Sequence, residues 1–283
     1  MKSLKPLHIL LTNDDGHKAP GIQALQRAFS QAGHHVSMVA PSAEQSATSM
    51  GVTSRRNLEL SQFADSSWHL DGQPADTVLV ALRHLLEDKP PDLVLSGINF
   101  GPNLGNALYM SGTIGAAIMA SLNGVPAIAV SAGMRFEEVG SEFPSTLEIL
   151  DPAAEFTCSV VESLRASIGK SGRLLPREIM LNINYPALPR SQIKGVLHPE
   201  ISAGHMIYLG YRVCDETGQL VPRFSPGVDP AQPENEDGDV RAHMEGFITI
   251  SAVKPRWNPP AKQATKLEKR LEALSLGFPP NDC

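Results

Sequence analysis

The sequence predicts an α/β fold: a doubly wound, mostly parallel sheet followed by a C-terminal extension. Three observations point there. Short apolar runs rich in β-formers take turns with segments of helical periodicity. The runs are continuous rather than alternating apolar with polar, as strands covered on both faces require. Several of them end in clusters of Gly, Ser, Asn or Asp, which is where open α/β sheets bind their ligands.

The first run is HILLT, residues 8–12, closed by Asn13-Asp14-Asp15-Gly16. After Ala19-Pro20-Gly21, the residues Ile22, Leu25, Ala28, Phe29 and Ala32 recur at helical spacing, and Gly33 supplies the stop. Residues 36–40 form the second strand, ended by Pro41. Strand, helix and strand in such close order make a βαβ unit. A helix over 75–86 follows, with Val78, Leu82 and Leu85 on one face. The strand 93–95 runs into Ser96-Gly97. Residues 114–122 read as a helix of small residues, 127–130 as a strand ending at Ser131, 153–168 as a helix and 179–183 as a strand.

Past about Pro199 the character changes. Residues 202–239 are rich in Gly, Pro and acids and carry the patch Tyr208-Leu209-Gly210-Tyr211. Residues 247–251 look like a strand, and TKLEKRLEALSL sets Leu267, Leu271 and Leu274 on one face of a last helix. The expected division is an α/β core, 1–199, and an extension of the same domain, 200–283. That extension comprises a hairpin or loop arm, a strand and a helix, and packs on another subunit.

Of 283 residues, 42% are hydrophobic, ample for a core. The net charge of −6 and the lack of any Lys/Arg cluster speak against a nucleic-acid groove or an anionic membrane surface. An anionic substrate would need a bound cation or backbone N–H groups to attract it. Cys158, Cys214 and Cys283 are too few and too scattered for a disulfide framework or a zinc site. No apolar run of about 18 residues occurs. The opening MKSLKPLHILL lacks a leader's apolar stretch, so the expected compartment is the cytoplasm.

Four strand-end segments carry candidate chemistry. Consecutive strand residues point to opposite faces, so Asp14 and Asp15 converge only if the chain bends, which Gly16 permits. Two close carboxylates repel, and a divalent cation removes the conflict; oxygen ligands suit Mg²⁺ or Mn²⁺. A solvated Asp-Asp-Gly turn is the plain alternative. SGINFGPNLGN, residues 96–106, offers glycines that let N–H groups approach a phosphate and the amides of Asn99, Asn103 and Asn106. SGTIGAA, from Ser111, either caps a helix or uses its N-terminus as an anion site. APSAEQSATSM, residues 40–50, is rich in hydroxyls and includes Ser46. Together these segments suit a divalent metal facing a phosphate and metal-assisted phosphoester hydrolysis.

These residues closely resemble the SurE family, stationary-phase survival proteins that act as metal-dependent 5′/3′-nucleotidases. The resemblance rests on NDDGHKAPGI (13–22) and SGINFGPNLG (96–105), which are specific as a pair. Supporting matches are APSAEQSATS, Gly72-Gln73-Pro74-Ala75-Asp76, Ser111-Gly112-Thr113, LNINYP (181–186) and DVRAHMEGFITIS (239–251). The resemblance implies a Rossmann-like core and one divalent cation held by Asp14, Asp15, Ser46 and Asn99. It also implies a phosphate pocket of Asn13, Gly16, Asn103, Ser111, Gly112 and Thr113, and a homodimer or homotetramer with exchanged C-terminal segments. The implied reaction removes phosphate from nucleoside 5′-monophosphates, with 3′-monophosphates as a further option. The sequence departs from the family pattern at Met110, at Met119-Ala120 and at Ser42-Ala43-Glu44-Gln45, where basic residues are usual.

On this reading Asp14 and Asp15 are also the catalytic candidates, with Asp14 as base, nucleophile or ligand only. His17 reads as an exposed loop histidine, and His205 and His243 as candidates for a proton donor, from this subunit or another. A receiver-type signalling domain would need an Asp where the strand PDLVLSG ends in Ser96. A haloacid-type phosphatase would need Asp-x-Asp. The remaining alternative is a non-catalytic nucleotide or metal-binding protein of the same fold.

Overall fold

The structure, a computed structural model, describes residues 5–138, 144–168, 172–227, 237–255, 264–265 and 269–270. The chain divides into two compact units, Met1–Val253 and Lys254–Cys283. In the second unit the described residues are helical at 264–265 and 269–270, and the expected stripe Leu267, Leu271 and Leu274 lies outside the described residues.

In the first unit the strands are β1 (His8–Thr12), β2 (His35–Pro41), β3 (Leu60–Ala64), β4 (Ser67–Leu70), β5 (Leu93–Phe100), β6 (Ala127–Ala132), β7 (Met180–Tyr185), β8 (Val196–Leu197), β9 (Ile207–Val213), β10 (Leu220–Pro226) and β11 (Ile248–Val253). The helices are α1 (Pro20–Gln31), α2 (Pro74–Val80), α3 (Gly112–Leu122), α4 (Pro144–Ala166) and α5 (Gly238–Met244). One sheet has the order β3-β4-β2-β1-β5-β6-β7-β11-β8, and β9 and β10 form a separate hairpin. The run β4-β2-β1-β5-β6-β7 is parallel, while β3 and β11 pair antiparallel with their neighbours β4 and β7. From β1 the chain moves to β2 on one side and later returns to β5 on the other. The carboxyl ends of β1 and β5 therefore flank the switch point, where such sheets open a crevice.

Alternation along β1 sorts the core into two layers. Ile9 and Leu11 face α1 and α4, packing with Ile22, Leu25, Phe29, Ile149 and Ala153. Leu10 faces the other layer, with Val78 of α2 and Ile114, Ala116, Ala117 and Ala120 of α3. Ile22, Leu25 and Phe29 are fully buried, each worth about 1.5–3 kcal/mol. The small residues of α3 let its axis lie close to the sheet, which brings its N-terminus to the switch point.

Three elements differ from the sequence reading. β5 runs past Gly97 to Phe100, with an irregular register between Ser96 and Asn99, so the start of the glycine segment is a strand end and not a loop. α4 begins at Pro144 and continues through Pro152, because Ile149, Leu150 and Ala153 are all core residues. The β3–β4 hairpin was not foreseen. The β9–β10 hairpin stands exposed, with Tyr211 67% and Leu220 68% accessible and Tyr208 and Phe224 near half.

Candidate active site

β1 delivers Asp14 and Asp15 to the switch point, and the turn that follows is closed by Asn13 Nδ2 donating to Gly16 O at 2.9 Å. Gly16 has φ +94°. The two carboxylates are anchored to different walls. Thr113, at the start of α3, donates its Oγ1–H to Asp14 Oδ1 at 2.5 Å and its N–H to Oδ2 at 3.2 Å. Asp15 Oδ2 faces the Phe100 N–H at the end of β5, 3.4 Å away. Burial raises the Asp14 pKa against the opposing Thr113 hydrogen bonds. Burial, then the charge of Asp14, pushes Asp15 up to about 8.

Gly112 is what lets α3 come so close. A Cβ there would stand 2.9 Å from Asp14 Cβ and 3.0 Å from Thr48 Oγ1. The loop carrying Thr48 wraps the same corner: Gln45 N–H donates to Asp14 O at 2.7 Å, and Ser49 N–H donates to Met110 O at 3.0 Å. Ser46 sits on this loop, exposed, with its N–H donated to Glu44 Oε1 at 2.7 Å.

From the β5 side, Asn99 donates its Nδ2 to Gly101 O at 2.7 Å and to Phe100 O at 3.3 Å. The amide nitrogen is thus spent on its own loop, and Oδ1 is the atom left for a ligand. Asn103 is bolted down further along: its Nδ2 donates to Ser131 Oγ at 2.9 Å and its N–H to Asn184 Oδ1 at 2.8 Å. Its carbonyl accepts from Asn182 and Asn184. Ser111 caps α3, accepting Ile114 N–H at 3.1 Å. So one N–H of the first turn of α3 goes to Asp14 and the next to Ser111.

Comparison with known proteins bears on this arrangement. The family described as "Survival protein SurE" matches residues 9–206. This chain belongs to the SurE family. A protein named 5′-nucleotidase SurE from Carboxydothermus hydrogenoformans is 44% identical over 87% of this chain and 90% of its own length. One of the same name from Desulfitobacterium hafniense is 40% identical over 96% and 99%. The crystal structure of SurE from Aquifex aeolicus superposes with a TM-score of 0.73 at 27% identity, covering 94% of this chain and 99% of that one.

In this SurE family member the corner fits a hard cation. The two crowded carboxylates, the Asn99 carbonyl and the Ser46 hydroxyl are all oxygen groups, the donor type such an ion takes. Beside them the buried Asn13 Oδ1 has no partner among the described residues. Among the described residues no group of three or more His, Cys, Asp or Glu is placed to hold a metal, so an ion here would depend on neutral oxygens and water as well.

Among the histidines of this SurE protein, His17 differs from the sequence reading. His17 is only 9% exposed, and its ring stacks on His69 with centroids 4.4 Å apart. Phe63 covers it at 5.1 Å, because the unforeseen β3–β4 hairpin closes over it. Burial, then His69, lowers its pKa. His243 is buried, and a Cβ on Gly133 of the same chain would stand 3.1 Å from its Nε2. His205 Nε2 lies 3.4 Å from Asn106 Nδ2 in the same chain.

Burial lowers the His243 pKa to about 4. The unfolded chain therefore takes up this proton first, near pH 6.5, and stability falls as pH drops from there to about 4. The shift corresponds to about 3 kcal/mol. His243→Leu is expected to flatten the denaturant midpoint between pH 7 and 4.5; an unchanged acid slope would refute the assignment.

The sequence reading also missed the clamp on the glycine segment. Asp239 of α5 is fully buried and accepts the Gly105 N–H, at 3.2 Å to each oxygen, and the Ser202 N–H at 2.9 Å. For the neighbouring anchor at Asn103 the available signal was LNINY, where two asparagines occupy a strand that should hold β-formers.

Proposed function

We propose that the chain is a metal-dependent 5′-nucleotidase, hydrolysing nucleoside 5′-monophosphates, and secondarily 3′-monophosphates, to nucleoside and phosphate. What carries this reading is the pair of adjacent carboxylates at the switch point, Asp14 buried against the N-terminus of α3 and Asp15 half-buried against the end of β5. Relatives named 5′-nucleotidase SurE, aligned over nine-tenths or more of their length, support it. One Mg²⁺ or Mn²⁺, held by Asp14, Asp15, Ser46 and Asn99, would supply Lewis-acid polarisation of a phosphoryl oxygen and a water of lowered pKa.

The chain's own residues have three tasks. Thr113 fixes Asp14, and the β5 end fixes Asp15, so the carboxylates need not reorganise during the reaction. The Gly112 N–H, beside those spent on Asp14 and Ser111, is the donor for a phosphate oxygen. Asn13, Gly16, Asn103, Ser111 and Thr113 shape the remaining wall. Asp14 and Asp15 are the candidates for accepting the proton of the attacking water.

The test is phosphate release from AMP or GMP by the metal-stripped full chain. Release is expected only after Mg²⁺ or Mn²⁺ is added. No release with any divalent ion would sink the reading, and nucleotide binding without turnover would favour a binding protein of the same fold.

In this proposal residues 1–199 carry the chemistry, and 200–283 serve assembly into a homodimer or homotetramer through the exposed β9–β10 hairpin. Sedimentation of the full chain as a monomer at micromolar concentration would contradict that. Among the described residues no helix is long and apolar enough to cross a membrane, and we place the enzyme in the cytoplasm.

A further inference from the structure

We propose that Glu44 sets the substrate charge the site accepts, admitting the single phosphate of a monoester and rejecting chains of two or more phosphates. This rests on the nucleotidase reading above. Three observations meet at Glu44.

The first is position. Both sequence neighbours touch the turn that holds the paired aspartates. The backbone of Ala43 lies 3.4 Å from where a Cβ on Gly16 would stand, and Gln45 N–H donates to Asp14 O at 2.7 Å. Glu44 is thus held at the rim, with its side chain exposed.

The second is the hydrogen bond from Ser46 N–H to Glu44 Oε1 at 2.7 Å. A backbone N–H on an irregular loop beside a candidate metal site is the kind of donor that holds a phosphate oxygen. The loop goes on with left-handed residues, Ala47 at φ +58° and Ser49 at φ +54°. Here an internal carboxylate already occupies the Ser46 donor.

The third is charge. Glu44 adds a carboxylate to the loop whose Gln45 N–H is bonded to Asp14 O, beside the two aspartates.

The terminal phosphate of any substrate would be taken at the α3 N-terminus, beside the residues that would hold the cation. A second phosphate, further out, meets a negative carboxylate and a donor already taken. A neutral nucleoside in the same place is not repelled. Selectivity of this kind works by exclusion and not by added affinity for the preferred substrate.

Two variants of the full chain, Glu44→Ala and Glu44→Gln, test this with Mn²⁺ present. The reactions compared are AMP plus water giving adenosine and phosphate, and ADP plus water giving AMP and phosphate. Glu44→Ala is expected to raise kcat/KM for ADP about tenfold, the order expected from removing one charge at a solvated rim. AMP should change less than about threefold on the same scale. Glu44→Gln keeps the acceptor without the charge and should fall between.

Calorimetric binding of inorganic tripolyphosphate should tighten in parallel, whereas orthophosphate binding should not. An unchanged ADP-to-AMP ratio in both variants overturns the proposal. So does a fall in Mn²⁺ affinity of about tenfold or more in Glu44→Ala, which would make Glu44 a metal ligand, ligand loss costing at least as much as loss of a supporting contact. If the wild-type chain cleaves neither nucleotide, the nucleotidase reading fails on its own, and unchanged tripolyphosphate affinity then overturns the role of Glu44.

Discussion

Asp15→Asn is expected to lower kcat/KM for AMP by at least about 10²–10³-fold while making the metal-free protein more stable at pH 7.5. The activity loss follows from removing one of two carboxylates that would hold the cation; a single preorganised transition-state donor is already worth that much. The stability gain follows from the pKa. Asp15 sits near 3.8 unfolded and about 8 folded, so between those values the folded chain holds a proton the unfolded chain has released. Stability of the metal-free protein must then fall as pH rises from about 4 to about 8. The isosteric amide removes that slope together with the repulsion from Asp14. Melting in EDTA should therefore favour the variant, and melting in excess Mn²⁺ should favour the wild type, which gains binding free energy. A variant that is less stable in EDTA, or that retains turnover, would refute this account.

Gly97→Ala should be among the most damaging single-methyl changes at the described glycines. Gly97 has φ +137°, and a Cβ there would stand 2.2 Å from the Val130 carbonyl oxygen of β6. Neither the strand nor its neighbour can give way without breaking the β5–β6 pairing. The expected cost is at least about 3–4 kcal/mol, at or above the upper end of the usual range of about 0.5–3 kcal/mol for a point substitution. Gly33→Ala is the control: φ is +84°, nothing lies within 4 Å of the added carbon, and only the backbone penalty of about 1–2 kcal/mol remains. Chemical denaturation of the two variants checks the contrast, and equal losses would remove the steric explanation.

Much of the central sheet was legible because parallel strands buried on both faces appear as uninterrupted apolar runs. HILLT, DLVLS and the strand at 127–130 announce themselves that way, and α1 announces itself by its stripe. β3 was invisible because all five residues are exposed and nothing forces an alternating pattern on them. The first half of α4 was hidden by Pro152, which reads as a helix start until Ile149 and Leu150 are seen in the core. Asp14 and Asp15 stood out because acids seldom follow a buried strand without reason. The Thr113 bond to Asp14 spans 99 positions, and the Asp239 bond to Gly105 spans 134. Contacts that distant leave no local trace. The burial of His243 was not legible because it stands beside Arg241 and Glu245 in a short, charged segment.

The order of the sheet also governs how the chain can be made. β1 waits for β5, whose partner residues lie more than 80 positions later, and β7 stays open on one side until β11 emerges. A nascent chain stopped before residue 248 therefore displays β7 as a bare edge, lined by backbone donors and acceptors and by Asn182 and Asn184. Such an edge is a template for the wrong neighbour. For this protein, translation pausing or truncation between β7 and β11 is the interval of greatest exposure to aggregation, and a chaperone would find its binding surface there.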